Sequence, residues 1–165
     1  DIEIEDDIEV KEFLERINEQ LPDGIKFVKG QEIDPKTPSL SSIIVYGEYI
    51  FNIDLEVPLS KEFVKSRVLN FVKSKEIIIT KKNKKGKKVE VDIRPMIRNF
   101  DLVSLDDNRV TFVSTIATGS KANLNINILI PQILDMLNLD MDPREVGVLR
   151  RDLYKVEDGQ LVTPL

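Results

Sequence analysis

The spacing of apolar positions changes several times along this chain, and each change marks an element. Ile2-Glu3-Ile4-Glu5 alternates apolar with polar, the period of a short strand. Val10, Phe13, Leu14, Ile17 and Leu21 then recur at helical spacing, with Asp6 and Asp7 available as caps and Pro22-Asp23-Gly24 as a stop. Ile25 to Ile33 reads as a second strand, so the chain is expected to begin β-α-β. Asp34-Pro35-Lys36-Thr37-Pro38 forms a rigid connector, and Pro38 to Ser42 can start a short helical turn.

Beyond the connector the pattern is more regular. Gly47 to Val57 reads as a strand with Tyr49, Phe51, Ile53 and Leu55 on one face. Ser60 can cap a helix from Lys61 to Lys73 whose apolar face is Val64, Val68, Phe71 and Val72. Ile77-Ile78-Ile79 begins a strand that runs into a lysine-rich turn, and a second strand leaves it at Val89 and ends at Pro95. Phe100 to Leu105 and Val110 to Ile116 predict a hairpin around Asp106-Asp107-Asn108. Gly119-Ser120 opens a loop. Asn127 is the expected cap of a helix reaching about Leu139, with Pro131 in its first turn. Val146 to Val156 is a last strand, and the tail from Glu157 is expected to be loose.

Helices therefore alternate with pairs of strands. This predicts an α+β fold of ferredoxin-like split βαβ units, a largely antiparallel sheet with its helices on one face. The expectation is a single domain over residues 1–156, with a possible sub-boundary at 34–38 and a loose tail over 157–165.

Composition narrows the chemistry. The chain has 165 residues, 41% hydrophobic and 32% charged, which is enough apolar side chain for a core and argues against disorder. No apolar run approaches the roughly 20 residues of a membrane span, and no leader is read, so a cytoplasmic location without membrane contact is expected. Cysteine and histidine are both absent. This removes thiolate chemistry, cysteine-ligated metals, Ser–His triads and the commonest general acid–base group. The reading is a binding or accessory protein, with no cofactor, catalytic residue or metal ligand assigned.

The net charge of −5 conceals strong asymmetry. Residues 1–34 hold 12 acids and 4 bases, whereas residues 73–98 hold 10 bases and 3 acids. The basic block centres on Lys81, Lys82, Lys84, Lys85, Lys87 and Lys88, with Asn83 and Gly86 supplying turn chemistry. A lysine-tipped hairpin can meet nucleic-acid phosphates and gain affinity by counterion release, though it carries no sequence code. It can equally be a solvated tip that discourages aggregation.

Other candidates surround that block. Glu90, Asp92 and Arg94 would share one strand face and could hold a phosphate or a partner's arginine, or simply form a polar surface. Arg98 and Arg150 are neighbouring phosphate candidates. Arg144, Arg150 and Arg151 could make bidentate contacts to phosphate or carboxylate, or form rim ion pairs with Asp140, Asp142 or Glu145, and Arg150 and Arg151 should face opposite sides of their strand. Thr118 to Asn123 resembles a phosphate loop but lacks the upstream glycine, so it reads as an ordinary loop. Tyr46, Tyr49 and Tyr154 could stack on bases, whereas no aromatic interleaves with the lysines. Glu3, Glu5, Asp6, Asp7 and Glu9 match no calcium loop and read as a solvated acidic face.

The order of these pieces resembles a known family. They are Pro38-Ser39-Leu40 before a strand bearing Tyr49, the run from Lys87 through Val89-Glu90-Val91-Asp92-Ile93-Arg94-Pro95-Met96-Ile97, and a late helix followed by Leu149-Arg150-Arg151-Asp152-Leu153-Tyr154. Together they are similar to the bacterial radical-SAM-linked domain family of unknown function, encoded beside or fused to a B12-binding-type radical S-adenosylmethionine protein. The resemblance implies a bacterial cytoplasmic accessory protein with a radical-SAM partner, no established catalytic residues, and a link to RNA through neighbouring ribonuclease and ribosomal-protein genes. It also implies a further N-terminal segment that would precede Asp1 and is missing here. The expected function is RNA binding or substrate presentation to the radical-SAM enzyme through the lysine hairpin. The alternatives are a protein scaffold docked through the acidic first third, and a histidine-independent ribonuclease or RNA-modifying domain.

Overall fold

The computed structural model describes residues 2–5, 7–82 and 85–164, with the backbone alone for Lys82. The chain forms two compact units, residues 1–40 and 41–164. The second contains the strands β1 (Tyr46–Asp54), β2 (Ile78–Lys82), β3 (Lys88–Asp92), β4 (Ile97–Asp106), β5 (Arg109–Ala117), β6 (Gly147–Glu157) and β7 (Gln160–Val162). Between them lie the helices α3 (Lys61–Lys73) and α4 (Ile126–Leu137); α1 (Val10–Asn18) and the short α2 (Leu40–Ile43) precede them.

Five strands make one sheet in the order β4-β5-β1-β6-β7, with every neighbouring pair antiparallel. β1 and β4 sit on either side of β5, joined through α3, and β5 and β6 sit on either side of β1, joined through α4. Each is a split βαβ unit, and the two interlock as the α+β, ferredoxin-like pattern requires. β2 and β3 pair only with each other, as a ribbon inserted between α3 and β4.

Alternation decides which sheet face is covered. Tyr49, Phe51, Ile53 and Leu55 are buried, as their spacing predicts, and meet Val110, Phe112 and Ile116 of β5. Phe100 stacks on Phe112 at 5.0 Å between centroids and meets Phe71 of α3 at 5.1 Å. Val64 of α3 and Leu129, Ile133 and Leu137 of α4 close the same core, so both helices cover one face. Ser60 caps α3 as expected, its hydroxyl accepting from the Phe63 N–H at 3.2 Å, a contribution of about 1 kcal/mol.

Three expectations fail here. The cap of α4 is Asn125, whose side chain accepts from the Asn127 N–H at 2.9 Å. The helix therefore starts earlier and Pro131 falls inside it, removing a donor that five buried apolar residues of α4 offset. β3 ends at Asp92 because the Arg94-Pro95-Met96 segment winds into a 3-10 turn, so Arg94 does not continue the row of Glu90 and Asp92. Where a loose tail is expected, the chain turns at Asp158-Gly159, both with positive φ, and Gln160–Val162 pair with Lys155–Glu157.

In the first unit, α1 forms on its amphipathic pattern but buries no residue. No strand occurs among the described residues of 1–40, against the expected β-α-β. Strand alternation is only a capacity to pair, and a lone strand needs a partner. The Ile25–Ile33 segment instead turns back on α1. Asn18 donates to the Phe27 carbonyl at 2.9 Å and accepts from its N–H at 2.8 Å, imitating one rung of a ladder. Gly30 lies against Val10 and Leu14, where a Cβ would come within 3.1 Å.

Candidate nucleic-acid interface

The ribbon owes its form to its sequence. Ile79, Val89 and Val91 lie on one face, with Ile79 buried, while Thr80, Lys88 and Glu90 are exposed on the other. Gly86 sits at φ +76°, a left-handed turn conformation that suits glycine. The base is clamped by Asp92, whose carboxylate accepts from the N–H of Ile77 at 2.8 Å and of Arg94 at 2.9 Å. The Ile93 N–H donates to the Ile77 carbonyl at 2.9 Å and closes the base.

The lysines concentrate at the free end. Lys81, Lys85, Lys87 and Lys88 are exposed, and the backbone register places Lys82 opposite Lys88. Asn83 and Lys84 lie outside the described residues.

The arginines divide. The guanidinium of Arg94 donates to the carbonyls of Val72 at 2.7 Å and Ile97 at 2.8 Å, so its charge is turned toward the framework. Arg98, exposed at the start of β4, lies over the Tyr46 ring at 5.3 Å and donates to the Gly159 carbonyl at 3.4 Å. Arg150 is exposed but pairs in register with buried Tyr49, on the side of β6 that faces the helices. Arg98 accompanies outward-facing Tyr46, so the two arginines are not brought together. Arg144 pairs with Asp142, the rim ion pair that stood as the alternative to a phosphate contact.

One cluster escaped the sequence reading. On the helix-free face, Glu48 of β1 is 12% exposed and forms an ion pair with Arg151 of β6. A bulge puts Arg151 between Asp152, opposite Glu48, and Arg150, opposite Tyr49. Arg151 faces the side opposite Arg150, as alternation predicts, and the extra residue lets Asp152 share that outer face with it. Tyr154 stands opposite Tyr46 in the same register. Burial, reinforced by the charges of Glu48 and Asp152, pushes the Tyr154 phenol above its ordinary pKa, while Arg151 opposes the shift. The alternating Tyr46-Gly47-Glu48 run signals the strand face, but nothing in it marks the bulge.

Among the described residues, no group of three or more carboxylates, histidines or cysteines could hold a metal ion. No helix among them is long and apolar enough to cross a membrane.

Fold and surface define the class: an α+β domain of ferredoxin-like topology with a basic ribbon inserted in its first split unit. Residues 1–126 match the model of the family described as "uncharacterized protein conserved in bacteria (DUF2344)", and the chain belongs to that family. No curated protein and no solved structure matches it.

Proposed function

We propose that this chain is an RNA-binding accessory protein of a radical-SAM enzyme, presenting RNA through the β2–β3 ribbon. The observation that carries the reading is the placement of the lysines. They crowd the free end of a ribbon that pairs with neither edge of the main sheet and is braced at its base by Asp92. Surface charge of this kind gives affinity for phosphate without a sequence code. Residues 41–165 hold 19 bases and 17 acids, so the unit with the ribbon is less hostile to a polyanion than the total of −5 suggests. The radical-SAM partner is supplied by the resemblance described above.

The test is binding of the full chain to fluorescent structured RNA across a salt series, beside a variant with Lys82, Lys85, Lys87 and Lys88 changed to Ala. If most of these lysines meet phosphates, the slope of log affinity against log salt should shrink by about 2 to 3 in the variant. No binding at low salt, or an unchanged slope, overturns RNA presentation by the ribbon. Co-elution with the radical-SAM protein, with and without RNA, tests the partner separately.

A second reading, protein docking through residues 1–40, is favoured by one observation. α1 is strongly amphipathic yet buries none of its residues, and 12 acids accompany it in this unit. A pull-down that ignores the ribbon variant but fails when Glu3, Glu5 and Asp7 are neutralised would favour docking.

A further inference from the structure

We propose that the helix-free face of the sheet carries a second nucleic-acid contact, a stacking platform for one or two unpaired nucleobases built from Tyr46, Tyr154 and the guanidinium of Arg98. The inference rests on the RNA-binding reading above and adds a substrate class to it, single-stranded in preference to duplex RNA.

Register and spacing carry the argument. Tyr46 and Tyr154 are direct partners across β1 and β6, so their side chains rise side by side on the same face. Both are only partly covered. Arg98 lies over one face of Tyr46 at 5.3 Å, and a guanidinium plane stacked on a ring offers its other side to a base. Antiparallel four-stranded sheets with aromatics on their open face bind single strands in this manner, and base–aromatic stacking tolerates any base.

The ribbon and the platform are complementary. The ribbon has charge but no aromatic side chain, so alone it distinguishes no single strand from a duplex. The platform has rings but little net charge, because Glu48 and Asp152 stand beside Arg151. The chain leaves the ribbon at Asp92 and reaches Arg98 through one 3-10 turn. That connection spans at most about 20 Å even when fully extended. Lys88, the nearest of the ribbon lysines along the chain, lies four residues before Asp92, so a single strand that meets both contacts bridges at most about 35 Å.

The two contacts leave different signatures. The probe is a fluorescein-labelled uridine-rich single-stranded RNA of about twelve nucleotides, a length suited to one small domain. It is compared with the same RNA annealed to its complement. In the full chain, Tyr46→Leu with Arg98→Lys keeps the charge and removes two of the three planar surfaces. This variant is expected to bind the single strand about tenfold more weakly, with an unchanged salt slope and unchanged duplex affinity. The lysine variant should instead lose slope on both RNAs. Since the chain has no tryptophan and three tyrosines, its tyrosine emission should also fall on binding the single strand, and this quenching should shrink in Tyr154→Phe while affinity holds. Circular dichroism and the urea midpoint confirm that each variant is folded. Equal binding of both RNAs by wild type and platform variant overturns the platform and leaves the ribbon standing. No binding of either RNA by the wild type at low salt overturns both.

Discussion

Arg94 reaches back 22 residues to donate its guanidinium to the Val72 carbonyl at 2.7 Å. Val72 lies in the last turn of α3, where carbonyls have no helical donor and the helix dipole favours a cation. The other end of the same guanidinium donates to Ile97, the first residue of β4. One side chain thus ties the helix before the ribbon to the strand after it. Replacing Arg94 by Ala should cost about 2–3 kcal/mol in urea denaturation, since two charge-assisted bonds to part-buried carbonyls are lost. Replacing exposed Arg98 by Ala should cost less than about 1 kcal/mol. Equal costs would mean that Arg94 has no bracing role.

Asp54 and Arg109 close the sheet opposite each other, with a 2.6 Å hydrogen bond from the guanidinium to the carboxylate. That bond holds the Asp54 carboxyl below its ordinary range. A folded-state pKa below the unfolded one adds stability above the unfolded value of about 3.9 and loses it as pH falls through the folded value. The difference in urea midpoint between wild type and Asp54→Asn should therefore shrink on going from about pH 7 to about pH 3. A constant difference would exclude the ion pair as its source.

Tyr154 gives the opposite limb. Burial raises its pKa in the folded chain, so the unfolded chain ionises first as the solution becomes alkaline. Its contribution is complete below the unfolded value of about 10 and is lost as pH rises through the folded one. Tyr154→Phe should flatten the fall in stability above about pH 10, and the phenolate absorbance that this substitution removes should be a part that forms above about pH 10. An unchanged fall in stability above about pH 10 in Tyr154→Phe would refute the shift.

Gly119 cannot carry a side chain where it lies. A Cβ would sit 2.7 Å from the Ile44 carbonyl oxygen, a backbone atom with little freedom to yield. Gly119→Ala should lower stability by about 1–3 kcal/mol. Gly147→Ala, whose Cβ would have no neighbour closer than 3.6 Å, should stay within about 0.5 kcal/mol. Thermal unfolding of the pair decides the matter.

The parts of the fold that could be read from sequence are those whose signal is local. Ser60 and the apolar spacing to Val72 set α3 at Lys61–Lys73, and the alternation from Tyr49 to Leu55 set the buried face of β1. Ile2–Glu5 and Ile25–Ile33 misled because pairing depends on a partner elsewhere in the chain, and the Asn18 amide took that role for Phe27. The lysine ribbon was visible as composition. The task of Arg94 was not, because its acceptors are carbonyls that only the tertiary fold brings near. The Glu48–Arg151 contact needs β1 and β6 to lie side by side, and only the tertiary fold pairs two strands about a hundred residues apart.

The closed base of the ribbon also has an engineering meaning. Ile77 and Ile93 are joined by a backbone hydrogen bond at 2.9 Å, so the excursion leaves and re-enters the domain at nearly one point. A segment held in this way is a cassette. Beyond Ile79 and Val91, which pack into the core, its tip can be shortened, lengthened or exchanged while α3 and β4 keep their places, because β2 and β3 pair with neither edge of the main sheet. Grafted versions with different tips would carry the same scaffold to different ligands.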